Sequence, residues 1–235
     1  RLLQYLQCPQ YLRKGIFPMH PDLRCVGLCS PLDATNHPRV TDESKYREGV
    51  VAPTRRAGPA GAAGSWIFVG LPKEVQVEQE LPEATRVTVR MPRKAGGAAT
   101  LVSPSEPREA EGLHWGYTVR VAESLVEVWS ECPYGGGYDL SIGTSDKGES
   151  EWLEGELALP RFAHLLVVFG GVEGLEPSVE AEPALAACGA AASDLFDLYL
   201  NLCPEQGSRT IRTEEALLVG LATLQPRIRA SMKKT

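Results

Sequence analysis

The sequence predicts an α/β protein that carries a small all-β segment ahead of a parallel-sheet domain. Two observations predict this. Between about residues 47 and 115, short runs such as EVQVE and RVTVR alternate with period two, the signature of half-buried strands. From about residue 116 onward, apolar runs end in glycine-rich or polar loops and lead into a helical pattern, as in sheets whose strands are covered on both faces.

Taken in order, LLQYLQ near the start reads as a helix that Pro9 stops, and CVGLC as a short apolar stretch. The chain opens at Arg1-Leu2-Leu3 in the middle of a helical pattern, so a strand and a helix are expected upstream. The Gly/Ala/Pro-rich stretch at 52–64 reads as a loop. SWIFVG, EVQVEQ and TRVTVRM then read as strands. RKAGGAATLVSPSEPREAEG reads as a second loose segment, and HWGYTVRVA as strand-like. These runs fit a small β-barrel or sheet. An oligonucleotide-binding barrel is one such fold, and the pattern does not separate it from others. Arg55, Arg56, Arg86, Arg90, Arg93 and Lys94 lie in or beside these strands and mark the segment as a candidate RNA-binding part.

In the last part, YTVRVAESLVEVW reads as a strand leading into a helix, and YDLSIGTSD as a strand ending in a polar loop. Leu165 to Phe169 is a continuous apolar run closed by Gly170-Gly171, and LFDLYLNL is a second buried segment. A final helix is capped by Thr213, favoured by Glu214 and Glu215 in its first turn, and ended by Pro226. Leu217, Leu221 and Leu224 would form its buried face.

Composition narrows the function classes. Apolar residues make up 43% of the 235, enough for a sizeable core, and no run approaches the roughly 18 apolar residues of a membrane helix. The six cysteines form no CxxC and stand apart from the four histidines, so free thiols are expected and no metal site is. The net charge of −6 is uneven: +4 over residues 1–64, −4 over 65–148, −10 over 149–208 and +4 over 209–235. A basic face is therefore available at either end. Neither a Gly-x-Gly-x-x-Gly fingerprint nor a P-loop is present.

Three loops after strands carry the candidate chemistry: IGTSD (142–146), FGGVEGLE (169–176) and CPEQGSRT (203–210). In open α/β sheets, ligands bind at the carboxyl ends of strands. Arg209 and Arg212 precede the last helix, where its positive end and two guanidinium groups would make an anion site. The structural alternative is an ion pair with Glu214 or Glu215. His37-Pro38-Arg39 reads as a turn that could also reach a site. Trp115 and Tyr117 are either base-stacking or core residues.

The last two loops resemble the cofactor motifs of SPOUT-class RNA methyltransferases. GVEGL (171–175) is similar to their strand-Gly-x-Glu-Gly motif. GSRTIRTEEA (207–216) is similar to the Gly-x-Arg-Ile-Leu-Arg-Thr-Glu-Thr-Ala pattern of bacterial ribosomal-RNA uridine-N3 methyltransferases. Arg209, Ile211, Arg212, Thr213, Glu214 and Ala216 match that pattern; Thr210 and Glu215 depart from it. Over nearly its whole length the chain resembles animal SPOUT-domain methyltransferases with an OB-like insertion, which are also described in connection with the centromere.

The resemblance implies a trefoil-knotted α/β domain with an inserted small β-barrel. Residues 1–46 and 116–235 would belong to the SPOUT domain and 47–115 to the OB-like insertion. It implies S-adenosylmethionine bound by Ile142, Gly143, Thr144 and Ser145, by Phe169, Gly170, Gly171 and Gly174, and by Leu202, Cys203, Gln206, Gly207, Thr210, Ile211 and Thr213. Arg209, Arg212 and Glu173 would be the catalytic residues. The implied activity is RNA methylation, at N3 of a uridine in ribosomal RNA. The implied setting is a homodimer in the nucleus or nucleolus, with RNA as partner and no membrane. A non-catalytic RNA-binding scaffold associated with spindle, kinetochore or centromere proteins is the alternative.

Overall fold

The computed structural model describes residues 1–53, 64–92, 97–150 and 158–232. The chain forms two compact units, Arg1–Arg120 and Val121–Thr235.

The first unit begins with helices α1 (Leu2–Gln7) and α2 (Gln10–Ile16), separated by Cys8-Pro9 as the proline requires. Five antiparallel strands follow: β1 (Tyr46–Val51), β2 (Ser65–Phe68), β3 (Val75–Val77), β4 (Arg86–Arg90) and β5 (Thr100–Val102), in the order β3-β2-β1-β4-β5. The N–H of Ala99 donates to the carbonyl of Gln76 (2.8 Å), so the curled sheet brings its two edges together. Val51, Ile67, Val69, Val77, Val89 and Ala99 fill its interior.

The sequence pattern passes over the central strand β1 because Arg47 and Glu48 stand in it, and both are buried. Each is satisfied there. Arg47 donates to the carbonyls of Arg39 (2.6 Å) and Asp42 (2.9 Å), and Glu48 accepts from Arg86 Nε (2.8 Å). Buried charges with partners give no apolar alternation to read.

The stretch expected to be loose between β4 and residue 113 holds β5 and helix α3 (Glu106–Glu111), which Gly112 closes at φ 65°. HWGYTVRVA, expected to be a strand, has no regular structure. Trp115 instead packs edge-on against Tyr46, with ring centres 5.9 Å apart, and is a core residue. The Tyr117 hydroxyl donates to Leu3 O (3.0 Å).

The second unit contains helix α4 (Glu127–Ser130) and a parallel sheet of β6 (Leu140–Glu149), β7 (Leu165–Phe169) and β8 (Leu198–Leu200), in the order β7-β6-β8. Thr144 pairs with Phe169 on one side and Leu200 on the other, so β7 and β8 end level with each other beside the middle of β6, which runs on to Glu149. The short helices α5 (Glu176–Glu180) and α6 (Pro183–Cys188) precede β8, and α7 (Thr213–Met232) follows it.

Helix α7 departs from expectation in two ways. Its buried positions are Gly220 and Leu224, with Ile228 packed on the same core, while Leu217 and Leu221 are exposed. The reason is at Gly220: a Cβ there would lie 2.7 Å from Phe169 Cε1, so the glycine lets the helix backbone approach β7 closely. The helix also continues through Pro226, which was expected to end it. The ring removes one backbone donor, but Ile228 still packs on the core, and Ser231 Oγ donates to Pro160 O (3.0 Å) further along.

Candidate functional site

The ends of β7 and β8, with the stretch of β6 beyond them, open onto a cavity of about 200 Å³ in the second unit. Three segments build it, and each is fixed by its own local chemistry.

The first is the far half of β6. IGTSD was expected to be a loop after a strand. It lies within β6, whose pairing with β8 is irregular between Thr144 and Glu149. The physical reason lies in the far end of β6, which still finds backbone partners. Asn201 N–H donates to Glu149 O (2.9 Å), and Asn201 Nδ2 donates to Asp146 O (3.1 Å). Thr144 Oγ1 donates across to Val168 O (2.9 Å).

The second segment is the turn after β7. Gly171 and Gly174 exchange two backbone hydrogen bonds (3.1 and 3.0 Å), and Gly174 sits at φ 85°, where glycine is favoured. The buried Leu175 anchors the turn.

The third segment runs from β8 to α7. Asn201 Oδ1 accepts from Cys203 N–H (3.0 Å), and Ser208 Oγ donates to Thr210 O (2.8 Å). Thr213 was expected to cap α7. It is instead the first helical residue, and its hydroxyl donates to Gly170 O (3.0 Å), tying the third segment to the second. Glu215 takes the capping role through Oε2, which accepts the N–H of Arg212 (3.1 Å).

Most of the sequence-expected residues meet at this cavity. Thr144 and Ser145 line it from the first segment, and Phe169, Gly170, Gly171, Glu173 and Gly174 from the second. Leu202, Cys203, Gln206, Arg209, Thr210, Ile211 and Thr213 line it from the third. Ile142, Gly143, Gly207 and Arg212 do not. Ile142 is wholly buried in the sheet core, and a Cβ on Gly143 would lie 2.4 Å from the Phe196 ring.

The cavity also takes in residues to which sequence reading gave no role: Asp146 and Glu176 inside the singled-out loops, and Lys147 and Asn201 just outside them. Lys147 Nζ donates to Glu176 Oε1 (2.6 Å), joining the first segment to the second. This bond holds the Glu176 carboxyl below, and the Lys147 ammonium above, their ordinary ranges; the Glu176 and Leu175 N–H groups add to the effect on Glu176. The available signal was that Glu176 closes one of the singled-out loops and Lys147 follows another by one residue.

The two arginines differ. Arg209 reaches the cavity and Arg212 does not. Among the described residues neither guanidinium makes an ion pair, so the expected alternative partners, Glu214 and Glu215, do not hold them. Glu215 bonds the backbone of Arg212, not its side chain. Glu173 is exposed at the rim. The site therefore offers apolar walls, hydroxyls, one unpaired cation and several carboxylates, a lining suited to a ligand with a flat ring and charged ends.

In the first unit, Arg86 and Arg90 are already engaged, with Glu48 and Glu106 respectively. Arg55, Arg56, Arg93 and Lys94 lie outside the described residues. His37 Nε2 lies 2.8 Å from the Gln7 carbonyl, within the first unit. Among the described residues no cluster of three or more His, Cys, Asp or Glu could hold a metal ion, and no helix is long and apolar enough to cross a membrane.

A family model described as "Putative RNA methyltransferase" matches residues 1–224. Curated relatives named 28S rRNA (uridine-N(3))-methyltransferase align over nearly all of the chain. The Homo sapiens protein is 49% identical over 233 residues, covering 96% of this chain and 59% of the relative. The Mus musculus protein is 50% identical over 231 residues, covering 96% and 58%. The Drosophila melanogaster protein is 45% identical over 234 residues, covering 97% and 46%. The chain thus spans less than two thirds of the length of these relatives. Their names speak of rRNA and methyl transfer, and not of the spindle or centromere.

Proposed function

The chain belongs to this RNA methyltransferase family, and from that premise we propose that it transfers a methyl group from S-adenosylmethionine to N3 of a uridine in ribosomal RNA. The observation that carries the proposal is the convergence of three segments on one cavity at the carboxyl ends of parallel strands.

The residues present fit the methyl donor. Phe169, Leu202 and Ile211 provide apolar walls for a planar ring, and Thr144, Ser145, Gln206 and Thr210 provide hydroxyl and amide groups for a sugar. At Gly171 an added Cβ would meet nothing within 4 Å, so that backbone is open to close approach. When bound, the donor supplies a methyl group on a positive sulfur. The chain's own part is to hold the uridine and stabilise its negative form. Uridine N3 attacks only after losing its proton to solvent; the charge then spreads onto the ring carbonyls, and the transfer leaves neutral S-adenosylhomocysteine. Arg209, unpaired and facing the cavity, is placed to bond that charge through its planar fork. Glu173, at the rim, is the candidate for accepting a hydrogen bond from the incoming base.

The same reading assigns residues 1–46 and 116–235 to the SPOUT class, with the 203–210 loop as the segment that threads past its neighbours. The tie from Thr213 to Gly170 supports it. The curled sheet with joined edges supports a small closed β module at 47–115, which this reading takes as the OB-like, RNA-holding part. Leu217 (44% exposed), Leu218 (75%) and Leu221 (45%) form an apolar face on α7 suited to a homodimer contact. A 28S rRNA substrate like that in the relatives' names would fit a nuclear or nucleolar setting.

The test is transfer of labelled methyl to an rRNA substrate, followed by nucleoside analysis. The proposal expects 3-methyluridine and no product when the target uridine is already N3-methylated. Label on another atom or another base would overturn it.

A further inference from the structure

The amino ends of β6 and β7 lie at the opposite end of the sheet from the cavity, and an exposed aromatic stack stands there. Tyr134 lies face to face on His164, with ring centres 3.8 Å apart and planes 5° from parallel, and Tyr138 meets the Tyr134 ring edge-on at 6.0 Å. One face of Tyr134 is thus covered, yet the residue is 45% exposed, which leaves its other face to solvent. Asp139 fixes the base of the stack. Its carboxylate accepts the N–H groups of Ala163 and His164 (both 2.7 Å), and these bonds hold it ionised, below its ordinary range. Between the two tyrosines run Gly135, Gly136 and Gly137. Gly137 sits at φ 76°, where glycine is favoured. Gly135 and Gly136 have no left-handed backbone, and an added Cβ on either would meet nothing within 4 Å. Two glycines that the turn itself does not require leave bare backbone beside the exposed ring.

The surrounding charge selects what would dock there. Residues 121–208 carry sixteen Asp/Glu against Lys147 and Arg161 alone, a net charge of −14. Lys147 is paired with Glu176, and Arg161 is already engaged. Next to the stack, Glu127 and Glu131 precede Tyr134 and Asp139 follows Tyr138, with no Lys or Arg between residues 121 and 146. Such a field repels the phosphates of a nucleic acid and draws cations in. A guanidinium gains most, because it can stack flat on an aromatic face while it keeps its charge. We infer that the Tyr134–His164 stack is the docking point for an Arg-rich segment of a protein partner, with one guanidinium laid on the free face of Tyr134 and the segment's backbone passing over Gly135 and Gly136. The inference is independent of the methyl-donor reading.

Fluorescence anisotropy on the full chain with three labelled probes tests this: an unstructured peptide of Gly, Ser and evenly spaced Arg, the same peptide with Lys in place of Arg, and a single-stranded RNA. The wild type should bind the Arg peptide more tightly than the Lys peptide. Tyr134→Ala should weaken the Arg peptide about 2- to 30-fold and leave RNA binding unchanged, whereas Tyr134→Phe, which keeps the ring face, should bind as the wild type does. Gly136→Lys adds a cation where the turn has room for one, and should weaken both peptides about 2- to 5-fold. Melting curves check that the variants are folded, and Gly136→Lys, which leaves the stack intact, keeps the test decisive if Tyr134→Ala is not. Wild-type protein that binds neither peptide, or binds the Lys peptide as tightly as the Arg peptide, would overturn the inference. Arg-peptide binding at the wild-type level in Tyr134→Ala or Gly136→Lys would overturn it too. Loss of RNA binding in Tyr134→Ala with the peptide unaffected would replace it with a nucleobase platform.

Discussion

Gly170 and Gly171 are neighbours in one turn, yet the structure gives them opposite sensitivities, and that contrast separates folding from binding. A Cβ on Gly170 would lie 2.5 Å from the Gly174 carbonyl carbon and 2.6 Å from its oxygen. Both are backbone atoms, so relief requires opening the paired bonds between Gly171 and Gly174. Overpacking of this kind costs about 1–3 kcal/mol. Gly170→Ala should therefore lower the melting midpoint by several degrees and weaken ligand binding together with it. A side chain on Gly171 meets nothing within 4 Å and points into no protein atom, and Gly171 lines the cavity. Gly171→Val should melt like the wild type. Once a ligand lies against that backbone, the added isopropyl group overpacks the site by about 1–3 kcal/mol, which is about 5- to 150-fold in affinity. Thermal melts with and without S-adenosylhomocysteine read both effects in one assay. The wild type should gain stability with ligand, whereas Gly171→Val should start at the same midpoint and gain much less. A Gly171→Val protein with the wild-type gain would refute the placement of the ligand against this turn.

Arg209→Ala should keep the fold and reduce single-turnover methyl transfer on the order of 10²-fold or more, with partial rescue by Arg209→Lys. Arg212→Ala should do much less, because its backbone bond to Glu215 survives and its side chain lies outside the cavity; equal losses in the two variants would contradict the geometry. In the first unit, Arg86→Ala strands the buried Glu48 and should cost about 3–5 kcal/mol in a melting experiment, more than Arg90→Ala, whose partner Glu106 is more open to water. Leu217→Asp combined with Leu221→Asp should turn a dimer into a folded monomer by light scattering, and an unchanged mass would remove α7 from the interface.

Several elements were legible in the sequence because local rules governed them. The β7 strand shows as a bare apolar run closed by two glycines, and α1 ends where Pro9 requires. Most of the cavity lining was legible too, since loops at strand ends carry ligands in such sheets. The rest was hidden by tertiary effects. Central strand β1 conceals itself behind Arg47 and Glu48, whose partners come from elsewhere in the unit. The burial of α7 follows Gly220, which no hydrophobic periodicity would choose. HWGYTVRVA alternates like a strand, yet Trp115 packs on Tyr46 and its flanks find no ladder. At the site, Lys147 and Glu176 look like ordinary surface charges until the fold brings them 2.6 Å apart.

The most direct test of the central claim is a crystal structure of the protein with S-adenosylhomocysteine. The account predicts ligand density in the cavity bounded by residues 144–147, 170–176 and 201–213, against Gly171 and within reach of Thr144, Gln206 and Thr210. Density at any other place in the molecule, with this cavity occupied only by solvent, would contradict it.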